Sequence, residues 1–212
     1  MKSLDAIAEK LDKPVVFHCS PRRGESTRRD FRVVHDVGPA IESVPDYADD
    51  WAPPSQRTVL ARFGPMRLFQ PGENIDDGFQ LYSYKECLLY LKLFRDTIWT
   101  AAEQLDDPDR HDEDYRGRIN GLCPIAQPMS TSDFFAIDTE QERDDGEYPI
   151  VFLDHEMYFA GGLSEDDLEP VADDVVDLLD QLLDDPLRWL DAGWTGGNPY
   201  DQWFPDAWSY VE

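Results

Sequence analysis

The chain has 212 residues and a formal net charge of -26, with 45 acidic against 19 basic residues, a length that suits one generous domain with a buried core. Such an acid excess strains a compact state by self-repulsion and is relieved in concentrated salt, where the Debye length falls to roughly 3 Å near 1 M. It therefore reads as the salt adaptation of a cytoplasmic protein from an extreme halophile, it argues against direct nucleic-acid binding, and it makes lone carboxylates poor site markers; the rival reading is a nucleic-acid mimic or a binder of a basic partner.

In chain order, residues 3–12 read as a helix, with Ser3 as cap and Leu4, Ile7, Ala8 and Leu11 as one apolar stripe. The start of the chain is amphipathic, with no continuous apolar run of the signal-peptide kind. PVVFH (14–18) and FRVVH (31–35) are short strand candidates. Residues 40–54 form a broken helical or irregular segment ending at Pro53-Pro54. RTVLARFGPMRLF (57–69) passes through a turn at Gly64-Pro65 into a strand, and FQLYS (79–83) is another strand. The clearest helix is 84–105. Ser83 and Glu86 have capping-box spacing, and Cys87, Leu91, Phe94, Ile98, Ala102 and Leu105 recur at three- and four-residue steps. Leu88, Tyr90 and Trp99 widen that apolar face, so the helix is expected to be well buried. After a charged loop (106–118) come strands at 119–127, 133–138 and 148–154, the last two joined as an antiparallel hairpin through an acidic turn. EMYFAG (156–161) extends or pairs with the last strand. A helix over 164–185 is capped by Ser164 and turns Leu168, Val171, Val175, Leu178 and Leu182 to the core. The tail holds four of the six tryptophans. The order predicts an α+β fold in a single domain: a mostly antiparallel sheet flanked by helices, with a long central helix and a C-terminal helix.

The motifs point away from catalysis. In VVFHCSPRRGESTRR (15–29) a phosphate-binding cysteine loop would need an arginine six positions after Cys19, so that its guanidinium could close a ring of backbone N–H groups around the phosphate. That position is Glu25, which would repel phosphate. The stretch from Lys13 to His35 still carries six basic residues against two acidic ones. It is either a polar loop paired with the protein's own carboxylates or a docking patch for an acidic partner. Cys19, Cys87 and Cys123 are odd in number and far apart, which indicates neither a disulfide framework nor a zinc ribbon; Cys87 and Cys123 read as small core residues. Asp154-His155-Glu156 has the chemistry of a metal or acid/base cluster. On a strand, however, Asp154 and Glu156 share one face and His155 takes the other, and no second ligand cluster is visible. No Walker A, GxGxxG or GxSxG motif occurs. No metal and no cofactor are expected, and no apolar run approaches the ~20 residues of a membrane span.

IESVPDY (41–47), LYS (81–83), CPIA (123–126), DFFAID (133–138) and YPIVFLDHE (148–156) together resemble the SUKH superfamily of Smi/Knr-like proteins. The likeness spans about two thirds of the chain, as residues 41–185. It leaves 1–40 as an N-terminal helix and basic loop extension and 186–212 as an aromatic-rich tail packed on the domain. STSD stands where a Gly-rich turn often precedes the family's F-x-hydrophobic-D strand. The resemblance implies an α+β domain that binds proteins without catalysis. Many bacterial members are immunity proteins that neutralise a toxin, often a nuclease, while others are regulatory modules.

The expectation from the sequence is thus a non-catalytic protein-binding domain, an immunity protein for a cognate toxin. The alternatives are a regulatory scaffold or a small hydrolase using Cys19. The candidate partner-contact residues are Asp133, Asp138, Asp154, His155 and Glu156 near strand ends, with Trp203 and Trp208 in the tail. The partner is a protein, not nucleic acid or membrane.

Overall fold

The computed structural model describes residues 3–19, 27, 29–71, 78–105, 118–129, 131–156, 168–189 and 205–211. Helix α1 (Leu4–Leu11) starts at Ser3, whose hydroxyl accepts the Asp5 N–H at 3.3 Å. Strands β1 (Val15–Cys19) and β2 (Arg29–Val37) follow, then a 3₁₀ turn at Asp46–Ala48. Helix α2 (Pro54–Phe63) begins with Pro54, where a missing N–H costs nothing. It stops at Gly64, whose φ is 70° and where a Cβ would strike the Pro39 carbonyl oxygen, so the chain needs glycine there. Strands β3 (Met66–Pro71) and β4 (Phe79–Leu81) lead into helix α3 (Tyr84–Leu105). Its start is the expected capping box: Ser83 Oγ accepts the Glu86 N–H at 3.3 Å, and the Glu86 carboxylate accepts the Ser83 N–H at 2.8 Å.

Strands β5 (Leu122–Pro128), β6 (Phe134–Asp138), β7 (Ile150–Leu153) and β8 (Pro170–Ala172), helix α4 (Val175–Asp184) and strand β9 (Pro205–Tyr210) complete the chain. The fold is α+β. The described strands form one sheet in the order β8-β7-β6-β5-β4-β3-β2-β1-β9, and every neighbouring pair is antiparallel. Segment 1–40 supplies β1 and β2 to this sheet, and the chain end supplies β9. No described helix is long and apolar enough to cross a membrane.

Phe134 and Phe135 are adjacent on β6 and so point to opposite faces. Phe134 packs on Tyr90 and Phe94 of α3, with ring centroids 5.9 Å apart in both cases. On the other face Phe135 opens an aromatic row across the strands. It touches Trp189 and Phe152 at one side and Phe79 at the other, and the row runs on through Phe69 to Phe17. Helix α4 is tied to α1 by Lys10, which reaches Asp180 at 2.7 Å and Asp184 at 2.5 Å, and to β9 by Tyr210, whose hydroxyl donates to the Leu183 carbonyl at 2.8 Å.

Three expectations are corrected. The helix expected over 164–185 is instead strand β8 followed by α4 from Val175, with residues 164–167 outside the described set. Pro170 has no N–H and holds its predecessor extended, and Asp174, whose carboxylate accepts the Asp177 N–H at 2.8 Å, caps the real start. Chain 155–156 is a helical turn and not an extension of β7; residues 157–161 lie outside the described set. Lastly, Leu88 does not widen the buried face of α3 as expected. Leu88, Leu89 and Leu93 are 36%, 54% and 49% exposed.

Candidate functional site

Five of the residues singled out in the sequence lie at the two ends of the β6–β7 pair. Asp133 precedes β6 and Asp138 ends it, about 16 Å apart at the usual rise of a strand. Around Asp133 the end of β7 folds back. Because β7 stops at Leu153, Asp154 and Glu156 do not share one face of a strand opposite His155, as expected from the sequence. Asp154 Oδ1 instead accepts the Glu156 N–H at 2.8 Å and so shapes the helical turn. The next residue, His155, gives its backbone N–H to Asp133 Oδ1 at 2.8 Å, and its Nδ1 lies 2.6 Å from the same oxygen. Asp133 is buried, His155 is half exposed and Glu156 is exposed. Donor atoms of Asp133, Asp154 and His155 lie within 4.8 Å of one another and are the one such trio among the described residues. The Asp133 oxygen at its centre already holds two protein donors, so the cluster works as a clasp between the start of β6 and the end of β7.

At the other end, the Asp138 carboxylate is completely buried and saturated. Arg118 grips it with two bonds of 2.7 Å. The Glu140 N–H donates to it at 3.2 Å and Gln141 Nε2 at 2.9 Å. A bidentate guanidinium with added donors is the arrangement that lets a carboxylate stay charged inside a protein. It anchors the acidic turn rather than offering a contact.

That turn builds a feature the sequence did not disclose. Glu147 leaves it toward α2, where its carboxylate accepts the Ser55 N–H at 2.7 Å and the Ser55 hydroxyl at 2.6 Å. Ser55 Oγ in turn accepts the Val175 N–H at 3.2 Å, at the start of α4. The three segments border an open depression of about 540 Å³, whose apolar lining includes Leu4, Pro54 and Val176. Asp145, Glu147, Asp173, Asp174 and Asp177 line it, and Arg143 is the one cation among the described lining residues. Arg143 pairs with Asp145 at 3.0 Å, and this hydrogen-bonded pairing holds the Asp145 carboxyl below its ordinary range. Partial burial pushes the Glu147 carboxyl up, with the Ser55 bonds opposing it and the charges of Asp174 and Asp145 adding to it. The site is open, negative and part apolar in its lining, which suits a cationic group carried on a carbon chain.

Trp208 stands on β9, seven strands away from β7 in the sheet order. Its half-buried ring meets Tyr210 edge-on at 5.3 Å. It is therefore not brought to the Asp133 cluster, and Trp203 lies outside the described residues. Cys19 ends β1, while residues 20–26 and 28, with Arg22, Arg23 and Arg28 of the basic stretch, also lie outside them. Cys87 and Cys123 are free and buried; burial pushes the Cys123 thiol up to about 12 and that of Cys87 well up too, so neither suits a nucleophile.

No family model, no curated protein and no solved structure matches the chain.

Proposed function

We propose that this chain is a non-catalytic protein-binding domain of SUKH type, an immunity protein that takes hold of a basic segment of a cognate toxin. The observation that carries the reading is the convergence of five carboxylates against one guanidinium around the depression between α2, the β6–β7 turn and α4. A lysine or arginine side chain fits such a site by charge, with its stem against the apolar lining. Nuclease active sites are basic, and an acidic surface opposite them steers association and occludes the substrate groove. In molar salt the steering is screened, so short-range pairing inside the depression matters more than the field of the whole surface. The resemblance adds a second line of support. CPIA, DFFAID and YPIVFLDHE fall on the adjacent strands β5, β6 and β7, and the loop joining the last two carries Asp145 and Glu147.

The test is affinity capture of the tagged protein from extract of its own cells in molar KCl, followed by mass spectrometry and a growth assay. The proposal requires one basic protein recovered in equal amount, whose expression alone stops growth and whose effect the chain relieves. Recovery of housekeeping proteins with no effect on growth would replace the immunity reading with a regulatory scaffold.

A further inference from the structure

Among the described residues, the outward face of α3 groups three exposed leucines. Leu89 and Leu93 are 54% and 49% exposed and Leu88 is 36% exposed, all within two turns of one helix. Buried positions of the same helix, Cys87, Phe94 and Ile98, lie on the opposite side, as helical spacing demands. Between 84 and 98 the charges are Lys85, Lys92 and Arg95 against Glu86 and Asp96, so this stretch is not acidic although the chain carries -26. Three large apolar side chains on so acidic a protein mark a surface meant to be covered. With three basic against two acidic residues over 84–98, it is also a face that two copies of this acidic chain can bring together without carboxylate repulsion.

The pattern on this face complements itself. Lys85, Leu88, Leu89, Lys92, Leu93 and Asp96 follow one another along the exposed side. If two copies of α3 cross antiparallel about a two-fold axis midway between 90 and 91, Lys85 comes level with Asp96 of the second copy. Leu88 then comes level with Leu93 of that copy, and Leu89 with its Lys92. Both ends gain a charge pair at once, about 16 Å apart at the helical rise, with Leu89 and Leu93 of both copies side by side between them. Asp96 is 58% exposed and holds Lys92 of its own helix at 2.6 Å, so its carboxylate is at the surface. An isologous contact of this kind is the commonest way for identical chains to pair.

We infer that the chain forms a two-fold homodimer through the Leu88-Leu89-Leu93 face of α3, with Lys85 of each copy paired to Asp96 of the other. The dimer strengthens with salt. The net charges of the two copies oppose association, and salt screens that repulsion while it favours apolar burial. The inference does not depend on the acidic depression, which lies at α2 and α4.

Sedimentation velocity of the full chain, as a concentration series at 0.2 and 2 M KCl (conditions of the order at which screening differs most), tests it. The expected result is a monomer–dimer equilibrium whose dissociation constant falls at the higher salt. Leu89→Asp, at an exposed site where folding is not at stake, is expected to weaken it at least about tenfold with an unchanged circular dichroism spectrum. At the lowest salt that supports the wild-type dimer, Lys85→Asp alone and Asp96→Lys alone weaken association, and the two together restore it. A chain that stays monomeric at both salts overturns the inference; so does a dimer indifferent to Leu89→Asp, or a double exchange that restores nothing.

Discussion

A single oxygen of Asp133, Oδ1, receives the backbone N–H of His155 at 2.8 Å and lies 2.6 Å from that residue's Nδ1. The bond to the backbone fixes where β7 ends, and the bond to the ring fixes how His155 leaves the sheet. Asp133→Ala strips both from a buried position and is expected to cost about 1–3 kcal/mol, the range for a buried donor left without its acceptor. His155→Ala removes only the ring bond and costs less. Urea unfolding measures both. Because the clasp is structural, folded samples of either variant retain partner capture.

Arg118 and Asp138 make a sharper case. With the Asp138 carboxylate fully buried and held by two 2.7 Å bonds from Arg118, Arg118→Ala leaves a charge without its counterion. The expected loss is about 3–5 kcal/mol. Arg118→Lys recovers little, since an ammonium cannot reproduce the two parallel bonds. Thermal unfolding orders the series wild type, Lys, Ala.

His35 gives the pH dependence. Its Nδ1 accepts the Phe69 N–H at 3.3 Å, and Phe69 holds a φ of 59°. Burial pushes the imidazole down from 6.5 to about 4. Between those values the unfolded chain binds a proton that the folded chain refuses. The His35 contribution to stability is thus complete above pH 6.5 and is lost as pH falls toward 4, with a slope of at most about 1.4 kcal/mol per pH unit. Unfolding free energies from pH 7.5 to 4.5 at fixed salt (values chosen to bracket the usual histidine range of about 6.5) check this. His35→Gln removes that part of the slope and leaves the carboxylate contribution at the acid end.

The aromatic row predicts a contrast between core and surface. Phe135 is fully buried between Phe79, Phe152 and Trp189, so Phe135→Ala costs about 3–5 kcal/mol. Leu93→Ala on the open face of α3 stays within about 0.5 kcal/mol for the monomer. Denaturant midpoints at low protein concentration separate the two.

The parts legible in the sequence were those whose cause is local. Ser83 and Glu86 cap α3 through their own spacing, and the helix runs Tyr84–Leu105 as the periodicity predicts. The β6–β7 hairpin follows from apolar runs on either side of an acidic turn. The start of α4 is hidden in the sequence because the acid and leucine pattern keeps a helical period through Pro170–Ala172, where sheet pairing with β7 wins. Periodicity could not tell that Leu89 and Leu93 face water, because an apolar residue scores alike on either side of a helix. The depression was invisible for a different reason. It joins Ser55 to Glu147, 92 residues apart, and Ser55 to Val175, 120 apart, and in a chain with 45 acidic residues no single carboxylate stands out.

The central claim is that the acidic depression grips a basic protein partner. Parallel capture in molar KCl with the wild-type chain and with an Asp145→Lys, Asp173→Lys variant tests it most directly. Asp145 is exposed and bonds Arg143 and the Glu147 N–H within its own turn, so matching circular dichroism spectra and denaturant midpoints are required of the two proteins before their capture is compared. The account predicts a one-to-one basic partner on the wild type, reduced about tenfold or more on the variant. Equal recovery on both proteins, or none on either, would contradict it.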